Sequence, residues 1–294
     1  MSDFLEKITV FSPAKVNLHL AVKNRRNDGF HDLESVFLAV NFGDTLHFQP
    51  IKGENSTEIA MEGLEFPVPT EKNIVFKAIS LFRQKTGFSG GLKVRVEKRI
   101  PLGGGLGGGS SNAAAALLVM NKIAGSLLDF QTLLEMAAGL GSDVPFFIYE
   151  TTAAMVTGRG DRIEPVEAPQ LFLVLVNPGF PSDTAAAFRL LDEHRSSVFT
   201  TTHTNSREPA VQRFSDIREG SWLNFNNDFL EVFGEKEKAV YNEIISQLKA
   251  QGAQYANLSG AGSTCFGVFK EKEEAQKAAL ALQGKWPFVQ ECGS

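Results

Sequence analysis

The chain has 294 residues, of which 43% are hydrophobic and 21% are charged. This composition is typical of a globular protein and excludes a wholly disordered chain, and the length corresponds to two domains or one large one. Lysine and arginine total 29 against 34 acidic residues, which gives a formal net charge of −5. A net acidic chain lacks the positive charge of a general nucleic-acid binder, although a local positive patch can still bind a small phosphorylated ligand.

Several other classes of protein are excluded by what the sequence lacks. Its two cysteines, Cys265 and Cys292, rule out a disulfide scaffold, and no histidine pair or triad has the spacing of a metal cage. Residues 1–7 are polar, unlike a signal peptide, and no apolar stretch approaches the roughly 18 residues of a membrane span. We therefore expect a soluble, cytoplasmic protein without a nucleic-acid or membrane partner, and the oligomeric state is left open.

The first hundred residues predict mostly strands. Alternation or short apolar runs indicate strands at residues 8–22, 36–40, 45–48 and 92–100. A turn cluster occupies residues 24–29, and Asn73 is placed to cap a helix that continues to residue 82. Lys98 falls on the apolar side of its strand, which is an unusual place for a surface lysine.

Helices and strands alternate less regularly in the rest of the chain. Helical patterns are predicted at residues 110–125, 129–139, 184–191, 224–230, 235–250 and 272–282, with a further helix start at residues 141–145. The first of these is expected to have a serine hydroxyl as its N-cap. Strands are predicted at residues 153–156, 162–166, 171–176, 254–258 and 264–268, and residues 200–209 predict a polar loop. The mixture is α+β, with a domain boundary near residues 155–170 and no internal repeat.

Six glycines in the seven positions 103–109 are the strongest functional signal. Ordering each glycine costs about 0.5–1 kcal/mol relative to alanine, which a loop that merely connects two elements has no reason to spend. A glycine-rich loop that opens a helix favours an anion such as phosphate, and a flexible hinge is the alternative. A Walker A motif is excluded because no lysine follows the loop. A dinucleotide site lacks the buried parallel strand and the later acidic residue, because the nearest acid, Asp129, is better placed to cap the next helix.

Other candidate residues have plainer alternatives on pattern alone. Asp143 precedes Val-Pro and could cap a helix, or it could accept a proton beside a transferred phosphoryl group. Lys15, Asn17 and His19 share one side of the first strand, where a solvated face is the simplest interpretation. Residues 259–264 form an ordinary turn, or they close the other side of an anion site together with the glycine run.

Three segments, residues 12–18, 101–114 and 258–264, resemble in sequence, order and spacing the three motifs of the GHMP superfamily, named for galactokinase, homoserine kinase, mevalonate kinase and phosphomevalonate kinase. Residues 13–18, 28–31 and 141–147 are similar to the branch that phosphorylates a cytidine diphosphate-linked methylerythritol in non-mevalonate isoprenoid biosynthesis. The resemblance implies an α+β, two-domain GHMP-kinase architecture. It has a ribosomal-protein-S5-like N-terminal ATP-binding domain, residues 1–160, and a ferredoxin-like C-terminal substrate-binding domain, residues 161–294.

The same resemblance implies a role for each candidate residue. Asp143 would be the catalytic base and Lys15 its partner, with ATP and magnesium as cofactors and the magnesium ligands unassigned. The residues implied to hold ATP are Asn73, Lys98, Gly103, Gly104, Gly105, Leu106, Gly107, Gly108, Gly109, Ser110, Ser111 and Asn112. The residues implied to hold the small-molecule substrate are Asn17, Phe30, His31, Thr184 and Phe188. Phe30 departs from the tyrosine common in the family, so the ring face remains and a hydroxyl hydrogen bond is lost.

Two other functions remain open at this point. A sister kinase acting on mevalonate or homoserine would share the same motifs, and its substrate would distinguish it. A non-catalytic nucleotide-binding module would bind ATP without phosphorylating any alcohol. The presence of Lys15, Asp143 and both glycine loops argues against the second alternative.

Overall fold

The structure is a computed structural model, and it describes residues 7–51, 56–63, 69–197, 217 and 220–294. The chain divides into two compact units. The first unit contains residues 1–14, 42–100 and 107–151, and the second contains residues 15–41, 101–106 and 152–294. Two long paired strands, β1 (Ile8–Arg25) and β2 (His31–Ile51), contribute residues to both units. The contiguous division at residue 160 remains a prediction.

In the first unit, helices pack with a small sheet. The strands are the second half of β2, β3 (Thr57–Glu62) and β4 (Gly91–Glu97); the helices are α1 (Ile74–Thr86), α2 (Gly108–Ile123), α3 (Phe130–Leu140) and α4 (Val144–Ile148). Strand β4 pairs antiparallel with β2 and parallel with β3. The predicted caps are confirmed, because Asn73 Oδ1 accepts from the Val75 amide at 2.9 Å and Asp129 Oδ1 accepts from the Thr132 amide at 2.8 Å.

Two expectations about β2 and α2 are wrong. Residues 36–40 and 45–48 belong to the single strand β2, which passes through Gly43, where an added Cβ would lie 2.8 Å from the Ser12 carbonyl carbon. Helix α2 has Gly107, at φ +68°, in the N-cap position, with no side-chain cap. The expected serine hydroxyl is used elsewhere, since Ser111 Oγ accepts a 2.7 Å hydrogen bond from Ser12 Oγ.

The second unit contains two antiparallel strand arrangements. The first half of β2 pairs with β5 (Ala153–Gly158), which forms a hairpin with β6 (Arg162–Val166), as expected for the two strands predicted there. A four-stranded sheet has the order β10-β7-β9-β8, from strands β7 (Phe172–Asn177), β8 (Tyr255–Leu258), β9 (Cys265–Phe269) and β10 (Phe288–Gly293). The helices that the structure describes with defined bounds in this unit are α5 (Thr184–Ser197), α6 (Glu235–Ala250) and α7 (Lys272–Leu282).

The core of the second unit forms where apolar residues of α6 and α7 pack with the four-stranded sheet, for example Ile244, Leu248 and Val176. The predicted helix at residues 224–230 is wrong. The backbone of this segment pairs with β1 instead, because the Asn226 carbonyl accepts from the Leu20 amide at 2.8 Å. A short 3-10 helix follows at Asp228–Glu231. The predicted loop at residues 200–209 lies outside the described residues. In the described part of the chain, no helix is long and apolar enough to span a membrane.

Candidate active site

The glycine loop before α2 alternates in backbone conformation. Gly103, Gly105 and Gly107 have φ of +64°, +74° and +68°, a left-handed region that favours glycine. The first hydrogen bond inside α2 runs from the Ser111 amide to the Gly107 carbonyl at 2.9 Å, so the amides of the preceding residues 108–110 are not used within the helix. Alternating glycine conformations followed by free helix amides form a backbone suited to an anion.

In the second unit, the turn at residues 259–264 holds the first part of this loop. The Thr264 amide donates to the Gly104 carbonyl at 3.1 Å, and Ser259 Oγ donates to the Gly105 carbonyl at 3.0 Å. Gly104 has no room for a side chain, because an added Cβ would lie 2.9 Å from Thr264 Oγ1. The second glycine-rich segment is therefore a support for the first and not an isolated turn.

In the first unit, Lys98 has a buried partner that sequence reasoning missed. Lys98 Nζ lies 2.5 Å from Asp44 Oδ2, and the Asp44 side chain is fully buried. The same carboxylate accepts hydrogen bonds from Asn112 Nδ2 at 2.9 Å and from the backbone amides of Arg99 and Ile100. This pair explains the placement of Lys98 on the apolar side of its strand. That placement was itself the available signal, since a buried cation requires a nearby anion.

Two other predicted nucleotide residues in this unit are also buried. Asn73 is engaged as the cap of α1, and its Nδ2 lies 3.2 Å from Met61 Sδ. Asn112 donates through Nδ2 to Asp44, while its Oδ1 has no hydrogen-bond partner among the described residues. A buried acceptor without a donor is costly, so this oxygen is suited to a donor supplied by water or a ligand.

Asp143 occupies the N-cap position of α4, but its carboxylate makes no capping hydrogen bond to that helix. The five residues of α4, Val144 to Ile148, are all buried, and they anchor the half-buried Asp143 at the helix start. The capping role considered from the sequence is therefore absent. The carboxylate remains a candidate for chemistry.

The three candidate residues on one side of β1, Lys15, Asn17 and His19, are buried in the second unit, so the solvated-face interpretation is wrong. Lys15 Nζ donates to Asn17 Oδ1 at 2.5 Å and lies 4.4 Å from the centre of the Phe37 ring. Asn17 Nδ2 donates to Ser35 Oγ at 3.0 Å, and His19 Nδ1 accepts from the Asn226 amide at 3.2 Å. Lysine is rarely this buried, and its ammonium is held by an amide oxygen and an aromatic face.

Two of the predicted substrate residues in this unit are in direct contact. The rings of His31 and Phe188 stack with centroids 5.2 Å apart and planes 16° apart, and His31 Nε2 lies 2.7 Å from Asp192 Oδ1. Phe30 exposes 49% of its surface, with the Arg159 guanidinium carbon 5.3 Å from its ring centre. Thr184 is exposed at the first position of α5. Sequence reasoning missed Asp192, although it follows Phe188 at helical i, i+4 spacing.

Neither cysteine is a candidate nucleophile. Both Cys265 and Cys292 are buried, and burial raises the pKa of each thiol well above its usual range. A thiol in such surroundings is a poor nucleophile.

The chain is similar to known kinases in both of its halves. Residues 73–151 match the GHMP kinases N terminal domain, and residues 206–287 match the GHMP kinases C terminal domain. Solved structures of homoserine kinase from Cytophaga hutchinsonii and of L. major mevalonate kinase share the fold, with TM-scores of 0.65 and 0.72 at 19% and 14% identity. The chain thus carries both halves of a GHMP kinase, which confirms the predicted architecture.

More similar relatives define the branch. The 4-diphosphocytidyl-2-C-methyl-D-erythritol kinase of Thermodesulfovibrio yellowstonii is 36% identical over 280 residues, covering 93% of each chain. That of Syntrophotalea carbinolica is 37% identical over 275 residues, covering 93% of this chain and 94% of its own. A crystal structure of 4-(cytidine 5'-diphospho)-2C-methyl-D-erythritol kinase matches with a TM-score of 0.80 at 30% identity, covering 97% of this chain and 98% of that one. The chain belongs to the family of 4-diphosphocytidyl-2-C-methyl-D-erythritol kinases.

Proposed function

We propose that this chain transfers the γ-phosphoryl group of ATP to the 2-hydroxyl of 4-diphosphocytidyl-2-C-methyl-D-erythritol, a step of non-mevalonate isoprenoid biosynthesis. The observation that carries the proposal is the similarity to kinases of that name along more than nine-tenths of the chain. The similarities to homoserine and mevalonate kinases, at under 20% identity, concern the fold alone. The substrate of this branch is therefore preferred over those of its sister kinases.

ATP is proposed to bind with its phosphates on residues 103–112. The support is the backbone of that loop, in which left-handed glycines and the free amides of α2 supply positive potential without a Walker lysine. Asn73 and Lys98 are proposed to lie near the adenosine. Lys98 is fixed by Asp44, so its ammonium can contribute to binding only from one defined position.

Magnesium is proposed to arrive bound to the phosphates of ATP, where it would neutralise charge that develops during transfer. No group of three or more His, Cys, Asp or Glu side chains suited to a metal occurs among the residues that the structure describes. Magnesium keeps several waters when it is bound mainly by phosphates, and each water is a hydrogen-bond donor. Asn112 Oδ1, which has no hydrogen-bond partner within the described residues, is suited to accept from such a water.

Asp143 is proposed to accept the proton of the attacking 2-hydroxyl. The new O–P bond forms as the bond to the β-phosphate oxygen breaks, and ADP leaves with that electron pair. Lys15 is proposed to orient the reacting groups and to stabilise their negative charge, because a buried ammonium acts through a low local dielectric. Positioning and electrostatics supply most of the rate enhancement in this class of reaction.

The cytidine diphosphate end of the substrate is proposed to bind Asn17, Phe30, His31, Thr184 and Phe188. The support is the stacked His31–Phe188 pair, together with the exposed face of Phe30. Aromatic faces are the usual partners of a nucleobase, with each stacked base worth about 1–3 kcal/mol.

The test is ADP release from ATP and Mg²⁺ with 4-diphosphocytidyl-2-C-methyl-D-erythritol, run beside mevalonate and homoserine. We expect turnover with the cytidylyl substrate alone. Turnover with mevalonate or homoserine would support the proposed kinase activity but would contradict the proposed substrate. ATP binding without turnover on any of the three would leave a non-catalytic nucleotide-binding module.

A further inference from the structure

Helix α5 holds the imidazole of His31 at two points. Phe188 stacks on the ring, and Asp192, one helical turn later, places Oδ1 2.7 Å from Nε2. Arg25 is the only other charged side chain within ion-pair distance of Asp192 in the described part of the chain, with Nη1 3.8 Å from Oδ2. The His31 ring is therefore fixed in both plane and rotation.

The contact with Asp192 also determines which nitrogen carries the proton in a neutral ring. An ionised carboxylate only accepts hydrogen bonds, so Nε2 must be the donor and Nδ1 keeps its lone pair. Nδ1 makes no hydrogen bond within the residues that the structure describes. The ring thus presents an acceptor on the nitrogen that Asp192 does not use.

We propose that Asp192 is a positioning residue that holds His31 as the tautomer whose Nδ1 accepts the 4-amino group of cytosine. The inference rests on the proposed function, in which His31 binds the cytidine end of the substrate. Cytosine carries a donor at its 4-position, whereas uracil carries an oxygen that only accepts. A lone pair on Nδ1 therefore favours cytosine and repels uracil, which makes Asp192 a determinant of base specificity.

The decisive variant is Asp192→Asn, which keeps the shape of the side chain but can either accept from or donate to Nε2. Both tautomers of His31 are then allowed. We expect the ratio of kcat/KM for the cytidylyl substrate over its uridylyl analogue to fall about tenfold, which corresponds to about 1.4 kcal/mol. The matched control is Glu193→Gln, the exposed next residue of the same helix, which should leave the ratio unchanged. A purely structural role for Asp192 would lower activity on both substrates equally and leave the ratio as in wild type, which would overturn the proposal.

Two measurements decide the proposal independently of turnover. Nitrogen-15 NMR of the whole protein should show His31 protonated at Nε2 and not at Nδ1 in wild type, with both forms populated in the Asn variant. Calorimetry with CDP and UDP as probes should show preference for CDP in wild type and a smaller preference in the variant. A proton on Nδ1 in wild type, or equal binding of CDP and UDP, overturns the proposal. Absence of turnover combined with a preserved CDP preference would instead count against the proposed kinase activity alone.

Discussion

Asp44 and Lys98 form an ion pair that is buried on both sides, with 2.5 Å between Oδ2 and Nζ. The carboxylate also accepts from Asn112 near the start of α2, so one acidic side chain joins strand β2, the end of β4 and helix α2. The pair therefore supports the geometry of the first unit, whatever Lys98 contributes to nucleotide binding.

Replacing Lys98 with methionine should strongly destabilise the protein, because it leaves the Asp44 charge buried without its cation. The expected loss is about 3–5 kcal/mol in the free energy of unfolding, measured by urea denaturation without nucleotide. The matched control is Lys93→Met, whose exposed ion pair with Glu58 at 3.3 Å should be worth at most about 1 kcal/mol. Equal effects of the two changes would contradict the structural importance of the buried pair.

Asp143→Asn should lower kcat by about a hundredfold or more, the usual range for removal of an acid–base group. ATP affinity should change little, because Asp143 is proposed to accept the hydroxyl proton and not to hold the nucleotide, and thermal unfolding shows whether the variant keeps its fold. Steady-state kinetics and thermal unfolding measure the two effects. The control is Glu135→Gln on the exposed face of α3, which removes the same charge from the same unit and should leave kcat unchanged. Near-wild-type kcat in the Asn variant would remove Asp143 from the catalytic role.

Gly105→Ala should weaken both folding and ATP binding. A side chain at φ +74° is strained by about 1–2 kcal/mol, and the added Cβ would also collide with the Ser259 carbonyl. Gly139→Ala is the control, since that glycine lies in α3 with open space around it and should stabilise the protein by about 0.5–1 kcal/mol. Urea denaturation and ATP titration of both variants provide the comparison. Unaltered ATP affinity in Gly105→Ala would show that the loop conformation is not needed for the nucleotide.

Local signals in the sequence were sufficient for much of the fold. Asn73 and Asp129 cap their helices as predicted, and the long helices at residues 235–250 and 272–282 have the predicted bounds. These features depend on neighbouring residues, so their patterns are visible in a short window. The glycine loop was also identifiable, because its composition alone requires unusual backbone conformations.

Features that depend on distant residues could not be predicted. Asp44 meets Lys98 across 54 positions, and Asp192 meets His31 across 161, so neither pairing leaves a periodic pattern. The burial of Lys15 and Asn17 was missed for a similar reason. Alternation along β1 describes one strand, and both of its faces are covered by residues elsewhere in the chain. The helix expected at residues 224–230 failed because tertiary pairing with Leu20 overrides local propensity.

In the proposed binding mode, the glycine loop holds phosphate through backbone amides and not through charged side chains. Peptide N–H groups do not titrate in the range of pH that a folded protein tolerates, and they carry no amine or guanidinium that a reagent or a modifying enzyme can alter. The contribution of these groups to phosphate affinity is therefore the same at acidic and alkaline pH. Any dependence of nucleotide binding on pH would then originate in the phosphates themselves or in the side chains proposed to lie near the adenosine.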